Sequence, residues 1–273
     1  MPGVDLIEQV LADLTGRGFA ATTIRLRRQQ LRRIELDLGR PLIGVTVDDI
    51  DEWARRRRPE LSAPSWNQEL ASLRTFFRHV VDHDLRADDP TRRLRRARVP
   101  RRAPRPMPTH TFEATLAATV GPLDRVCLLL GWDAGLRCAE VAGLSWSDID
   151  MGRRRLRVLG KGGKERTVPI SERLHAEILA AGVRRGPMVL DAHGRPISAA
   201  ALDKRLNRLL PRPFTFHQLR HSFGTRAANA PGVKAQVVRD LMGHSNLATT
   251  SLYVAARADD LAPAVEAASR EEA

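Results

Sequence analysis

The sequence predicts a mainly α fold: an all-helical N-terminal domain, an Arg/Pro-rich linker, and a mixed α/β domain that is mostly helical with a small antiparallel sheet. Three observations predict it. Apolar residues recur at helical spacing through residues 1–90, with no convincing alternating run. Residues 91–108, TRRLRRARVPRRAPRPMP, carry eight arginines, four prolines and no acid, so they have little to bury and read as an exposed linker. Beyond them, helical patterns are interrupted by two short alternating runs around the turn GKGG. The expected organisation is therefore 1–90, 91–108 and 109–273.

Each element has its own signal. Leu6, Ile7, Val10, Leu11 and Leu14 mark a first helix, and Ile24, Leu31, Ile34 and Leu38 a second. Asp48-Asp49 opens a short helix through Trp53. Ser62 or Ser65 caps the next, which runs through Val81 and buries Leu70, Leu73, Phe76, Phe77 and Val80. In the second domain, Thr109–Val120, Leu123–Gly131 and Arg137–Leu144 read as helices. Residues 153–160 and 164–170 then alternate as two strands. Helices resume at Ser171–Ala181, Ala199–Leu209, His217–Ala228, Val233–Met242 and about Leu247–Val254, with Pro211 and Pro213 breaking the pattern between them.

Length and composition bound the function. The 273 residues suffice for one large or two ordinary domains. No apolar run approaches the ~20 residues that span a bilayer, and MPGVDLIEQV lacks a signal peptide's basic start and apolar core. A cytoplasmic protein without a membrane partner is expected. Cys127 and Cys138 are too few for a disulfide framework or a four-cysteine zinc site and read as buried or partly buried thiols. The formal net charge of +13 points to a polyanion, most simply nucleic acid. Residues 1–109 carry +7 and residues 110–273 carry +6, so both domains are expected to face it. The linker arginines Arg92, Arg93, Arg95, Arg96, Arg98, Arg101, Arg102 and Arg105 suit a phosphate backbone.

Several chemical templates fail. GKGGKERT lacks the strand–loop–helix context of a phosphate-binding loop. GHSNL lacks the second glycine of a nucleophile elbow. His217 and His221, four apart, fit two metal ligands, but no glutamate follows His217 as in zinc proteases and no third ligand is evident. No metal site is expected. What remains is Arg137, Lys161, His217, Arg220, His244 and Tyr253, with Glu140 three residues from Arg137 on the same helical side. Singly, each has a plain structural explanation: a salt-bridged Arg, a capping His, a core Tyr.

Together they lie in four blocks: DAGLRCAEVAGL, LGKGGKERTVPI, HQLRHSFGT and LMGHSNLATTSLYV. In this order the blocks resemble the tyrosine recombinase (phage integrase) family, in particular its short Xer-like members. They span most of residues 133–254; residues 1–90 resemble the family's helical, SAM-like core-binding domain more loosely, in architecture. The resemblance implies a site-specific DNA recombinase in which Tyr253, the sole tyrosine, attacks a scissile phosphate to give a 3′-phosphotyrosyl link and a free 5′-hydroxyl. It implies His217 as general base, Arg137 and Arg220 as the clamp on the non-bridging oxygens, and His244 as a further donor. Lys161 is implied as the acid that protonates the leaving oxygen, which a guanidinium effectively cannot do. Only four of the 45 basic side chains (Lys161, Lys164, Lys204 and Lys234) are lysines, so a lysine at that position is informative. Glu140 is implied as a supporting residue.

The resemblance further implies four identical protomers on two double-stranded DNA sites, alone or with a second related recombinase, exchanging strands through a Holliday junction without ATP, metal or other cofactor. The chain begins almost at once with the core-binding helices, so no additional arm-binding domain is expected. Residues 255–273 read either as a helix that docks on a neighbouring protomer or as a frayed tail. Two alternatives stand beside recombination. One is DNA relaxation of the type IB topoisomerase kind. The other is a DNA-binding protein of the same fold without strand exchange.

Overall fold

The computed structural model describes residues 5–100, 105–160 and 163–243. The chain divides into two compact units, Met1–Arg101 and Arg102–Ala273. Among the described residues the first is all-helical, and the second is mostly helical with one three-stranded antiparallel sheet, as the sequence predicts.

The first unit comprises α1 (Leu6–Gly16), α2 (Ala21–Leu38), α3 (Val47–Arg57) and α4 (Ala63–Asp82). Side-chain oxygens fix the starts of three of them. Asp5 accepts from the N–H groups of Ile7 and Glu8, and Ser62 accepts from Ser65 N–H. Thr46 and Asp49 form a reciprocal capping box. That box starts α3 at Val47 rather than Asp48, and the helix continues past Trp53 to Arg57. The apolar stripes meet in one core of Ile7, Leu11, Ile34, Trp53, Phe76 and Phe77, among others. Each such side chain contributes roughly 1.5–3 kcal/mol by leaving water. Trp53 and Trp66 stack at 5.7 Å between ring centroids.

Residues 91–98 run along this unit. Leu94 is buried in its core, and the segment's backbone is held by three side chains. Trp66 Nε1 donates to Arg95 O (3.0 Å), Arg74 Nη2 donates to Leu94 O (2.6 Å), and Asn67 makes two bonds with Ala97 (2.9 and 2.7 Å). The exposed linker expected from Thr91 onward is thus anchored over its first part, because a single leucine and three polar side chains of α4 provide the partners that its arginines lack. Arg92, Arg93, Arg95, Arg96 and Arg98 still point into solvent, as does Arg105; Arg101 and Arg102 lie outside the described residues.

The second unit contains α5 (Thr109–Ala118), α6 (Pro122–Trp132), α7 (Cys138–Ala142), β1 (Ile149–Asp150), β2 (Arg155–Leu159), β3 (Glu165–Pro169), α8 (Glu172–Ala181), α9 (Ala199–Asn207), α10 (Phe216–Ala228) and α11 (Ala235–Met242). The strands pair in the order β1-β2-β3, with Leu156 opposite Val168 and Val158 opposite Arg166. β1 has only two residues, too short to leave an alternating pattern in the sequence. Helix α6 is buried from Val126 to Trp132 and forms the centre of the core. Among the described residues no helix is long and apolar enough to cross a membrane. The expected helix at 247–254 and the tail at 255–273 lie outside the described residues.

Candidate active site

Arg137 stands at the N-terminal boundary of α7, and the turn that delivers it is set by Gly135. That residue has φ +64°, and any Cβ there would run into the Phe223 ring, so only glycine lets α10 approach this closely. Glu140, in the first turn of α7, reaches back: its Oε2 accepts from Arg137 N–H (2.7 Å) and its Oε1 from Arg137 Nη1 (3.0 Å). The Glu140 side chain is 5% exposed, whereas Arg137 is 38% exposed. The carboxylate is therefore a fixed anchor and the guanidinium retains a solvent-facing edge.

Two more guanidiniums converge on the same carboxylate. Arg166 of β3 meets it in a two-bond fork, with Nη1 to Oε1 at 2.8 Å and Nη2 to Oε2 at 2.9 Å. Arg220 of α10, buried, places Nη1 3.8 Å from Oε2 and donates to the Gly135 carbonyl (2.5 Å). Burial works against charge on Glu140, yet the hydrogen bonds from Arg166 and from Arg137 N–H hold its carboxyl below the usual range. Three cations share one anion, so the cluster is electropositive and suited to a further anion.

The same arginines take the last carbonyls of α11. Arg166 Nε donates to Leu241 O (3.0 Å), Arg220 Nη2 to Met242 O (2.5 Å) and Arg137 Nη2 to Gly243 O (3.4 Å). A helix leaves its final carbonyls without partners in the helix, and here guanidiniums supply them. Gly243 closes α11 in the left-handed region (φ +59°).

His217 lies in the first turn of α10 and keeps an exposed edge. Partial burial of its ring, then the positive charge of Arg220 and Arg137, hold its pKa below the ordinary histidine value. At neutral pH it is the free base, as a proton acceptor must be. His221 packs edge-on against it, 4.4 Å between centroids, and its pKa is pushed down to about 4 by burial and by His217 and Arg220. Among the described residues no group of three or more His, Cys, Asp or Glu side chains is arranged to hold a metal ion. Cys138 follows Arg137 but points to the Ala199 carbonyl, and burial pushes its thiol up to about 12, which keeps it protonated. Cys127 is fully buried.

The structure thus brings together Arg137, Glu140, His217 and Arg220. Lys161, His244 and Tyr253 lie outside the described residues. The chain leading to two of them is defined. The β2–β3 hairpin closes through Gly160 N–H to Lys164 O (2.7 Å), and α11 ends two residues before His244.

Sequence reasoning missed Arg166. Its signal was present: in KERTVPI the alternation puts Arg166 on the same face as buried Val168, an inward position where an arginine needs a partner. A second feature went unread in the first unit, where α1, α2 and α4 border a groove lined by Arg17, Arg27, Arg74, Arg78, His79 and Arg96.

Comparison with known proteins places the whole chain. The pattern of the phage integrase family matches residues 110–259, more than half of the chain. The tyrosine recombinase XerC of Xanthomonas campestris pv. campestris (strain B100) is 31% identical over 225 residues, covering 77% of this chain and 70% of that one. XerD of Proteus mirabilis is 30% identical over 277 residues, covering 91% and 87%. Among solved structures, the Tn1549 transposon integrase in complex with transposon right end DNA superposes with a TM-score of 0.71 at 23% identity, covering 97% of this chain and 99% of that one. A lambda integrase dimer bound to a COC′ core site gives 0.73 at 19% identity, covering 94% and 97%. At these identities the structural likeness is one of fold. The sequence matches go further: the chain belongs to the phage integrase family and is a tyrosine recombinase of the Xer-like type, an enzyme that cleaves and rejoins DNA.

Proposed function

We propose that this recombinase cleaves duplex DNA through a 3′-phosphotyrosyl intermediate on Tyr253 and rejoins it to the partner strand. The observation that carries the reading is the trio of guanidiniums around the single buried carboxylate of Glu140, beside a histidine held neutral. A phosphodiester entering the site meets Arg137 and Arg220, whose planar forks match its two non-bridging oxygens. As the phenolic oxygen of Tyr253 attacks phosphorus, negative charge grows on those oxygens and the guanidiniums stabilise it. His217 accepts the phenolic proton, since a phenol of pKa near ~10 is otherwise protonated at neutral pH. Lys161 gives a proton to the departing 5′-oxygen, and His244 donates to the phosphate. The 5′-hydroxyl of a partner duplex then attacks the phosphotyrosine and the proton transfers reverse. The bond energy is kept in the tyrosyl ester, so the scheme calls for no ATP.

DNA is held through charge. The basic groove of the first unit and the exposed arginines of residues 92–98 and Arg105 supply phosphate contacts, and both units carry net positive charge. Four protomers on two DNA sites, joined through a Holliday junction, complete the reading. The protein is placed in the cytoplasm, where its DNA is. The test is to sequence the DNA covalently trapped on the protein in its host, then place two copies of that site on one plasmid. Recombinant product supports the reading; relaxation of the plasmid without recombinants would favour the topoisomerase alternative instead.

A further inference from the structure

Arg166 joins three segments that the sequence keeps apart. Its guanidinium grips both oxygens of Glu140 (2.8 and 2.9 Å), and its Nε holds the Leu241 carbonyl at the end of α11 (3.0 Å). It also underlies the mouth of the β2–β3 hairpin. A Cβ placed on Gly160 would stand 3.7 Å from Arg166 Nη1 and 3.9 Å from Glu140 Oε1. One placed on Gly243 would stand 3.2 Å from the same Nη1. The side chain is only 12% exposed, so it faces inward and away from solvent. Gly160 precedes Lys161, Gly243 precedes His244, and Glu140 orients Arg137 through two bonds.

We infer that Arg166 is a positioning residue for the cleavage reaction, holding Arg137 in register with the chain at Gly160 and Gly243 through its fork on Glu140 and its bond to α11. The inference rests on the proposed role of Arg137. Its physical basis is charge balance as well as geometry. With Arg166 in place, the Glu140 carboxylate is neutralised from behind and leaves the exposed edge of Arg137 available to a phosphate. Without it, the buried anion draws on Arg137 and Arg220, and the pair that must stabilise the phosphate is engaged elsewhere. Lysine cannot restore this, because a single ammonium cannot span both carboxylate oxygens and the Leu241 carbonyl in one plane.

The test uses full-length protein and a nicked duplex carrying the site trapped from the host, with either an ordinary phosphodiester or a methylphosphonate at the scissile position. The methylphosphonate lacks one charged non-bridging oxygen, so it asks less of the arginines. Arg166→Met is expected to lose cleavage by on the order of 100-fold on the phosphodiester, with duplex affinity unchanged. On the methylphosphonate its deficit against wild type should shrink by about tenfold, in parallel with Arg137→Ala. Should Arg166→Met not fold, Arg166→Lys carries the same comparison. An equal deficit on both substrates, or none on either, overturns the inference. Absence of any Tyr253-dependent adduct with the wild-type protein overturns the site reading itself, and is read separately from the Arg166 comparison.

Discussion

Arg137 and Glu140 hold each other by two bonds of different kinds, the backbone N–H of one to Oε2 of the other and a guanidinium nitrogen to Oε1. The first bond caps α7 and the second aims a side chain, so one carboxylate ties a helix start to a candidate phosphate ligand. Glu140→Gln should therefore damage both. Removing the anion from three guanidiniums is expected to lower the unfolding free energy by about 3 kcal/mol, measured by urea denaturation. DNA cleavage should fall in parallel, while duplex binding holds.

The same carboxylate sets an acid limit. Its folded pKa is depressed, so the stability it confers is present above the unfolded value near ~4.3 and is lost as pH falls through the folded value. Wild-type stability should drop more steeply than that of Glu140→Gln in this acid range, followed by the midpoint of thermal unfolding. Parallel curves would contradict the assignment.

The two histidines act at higher pH and by the opposite route. His217 and His221 are both held below the ordinary value, His221 to about 4, by burial and neighbouring positive charge. Between about pH 6.5 and 4 the unfolded chain binds protons that the folded chain refuses, so stability declines as pH falls. His221→Asn is expected to flatten this decline. The acid limb of kcat/KM for cleavage should lie below pH 6.5, since His217 stays the free base down to there. A limb above 6.5 in the wild type would remove His217 as the proton acceptor.

Gly135→Ala tests the turn that delivers Arg137. The added methyl meets the Phe223 ring in a backbone conformation that disfavours side chains, and the Gly135 carbonyl that anchors Arg220 must shift with it. A loss of about 1–3 kcal/mol in stability is expected, with a larger proportional loss in cleavage than in binding.

Binding should be strongly salt-dependent. Each phosphate neutralised contributes about −0.9 to the slope of log K against log salt. Removing Arg74 or Arg78 from the groove of the first unit should reduce the slope by about one per contact, at any sequence. A slope near zero for the wild type would contradict the charge argument.

Much of this was legible in the sequence, and what was not has a physical explanation. The long helices announced themselves through Leu11, Ile34 and Phe77 on one face each, because burial imposes a 3.6-residue period. The pairing of β2 and β3 followed from alternation around a glycine turn. Arg137, His217 and Arg220 were recognisable by motif, and they converge in space. Leu94 was obscured by the arginines around it, since one apolar residue carries no period. Arg166 was hidden for a different reason: its partners, Glu140 and Leu241, lie 26 and 75 residues away, and only the fold brings them together. The first-unit groove draws arginines from the end of α1 (Arg17), from α2, from α4 and from the segment after it, a grouping no local pattern encodes.

Everything proposed for the site turns on Tyr253 forming the covalent bond to DNA. The direct measurement is adduct formation on the nicked host-derived site by wild-type protein and by Tyr253→Phe, with duplex affinity measured alongside. A 3′-linked adduct is expected for the wild type and none for Tyr253→Phe, at nearly equal affinity. Adduct persisting in Tyr253→Phe would contradict it.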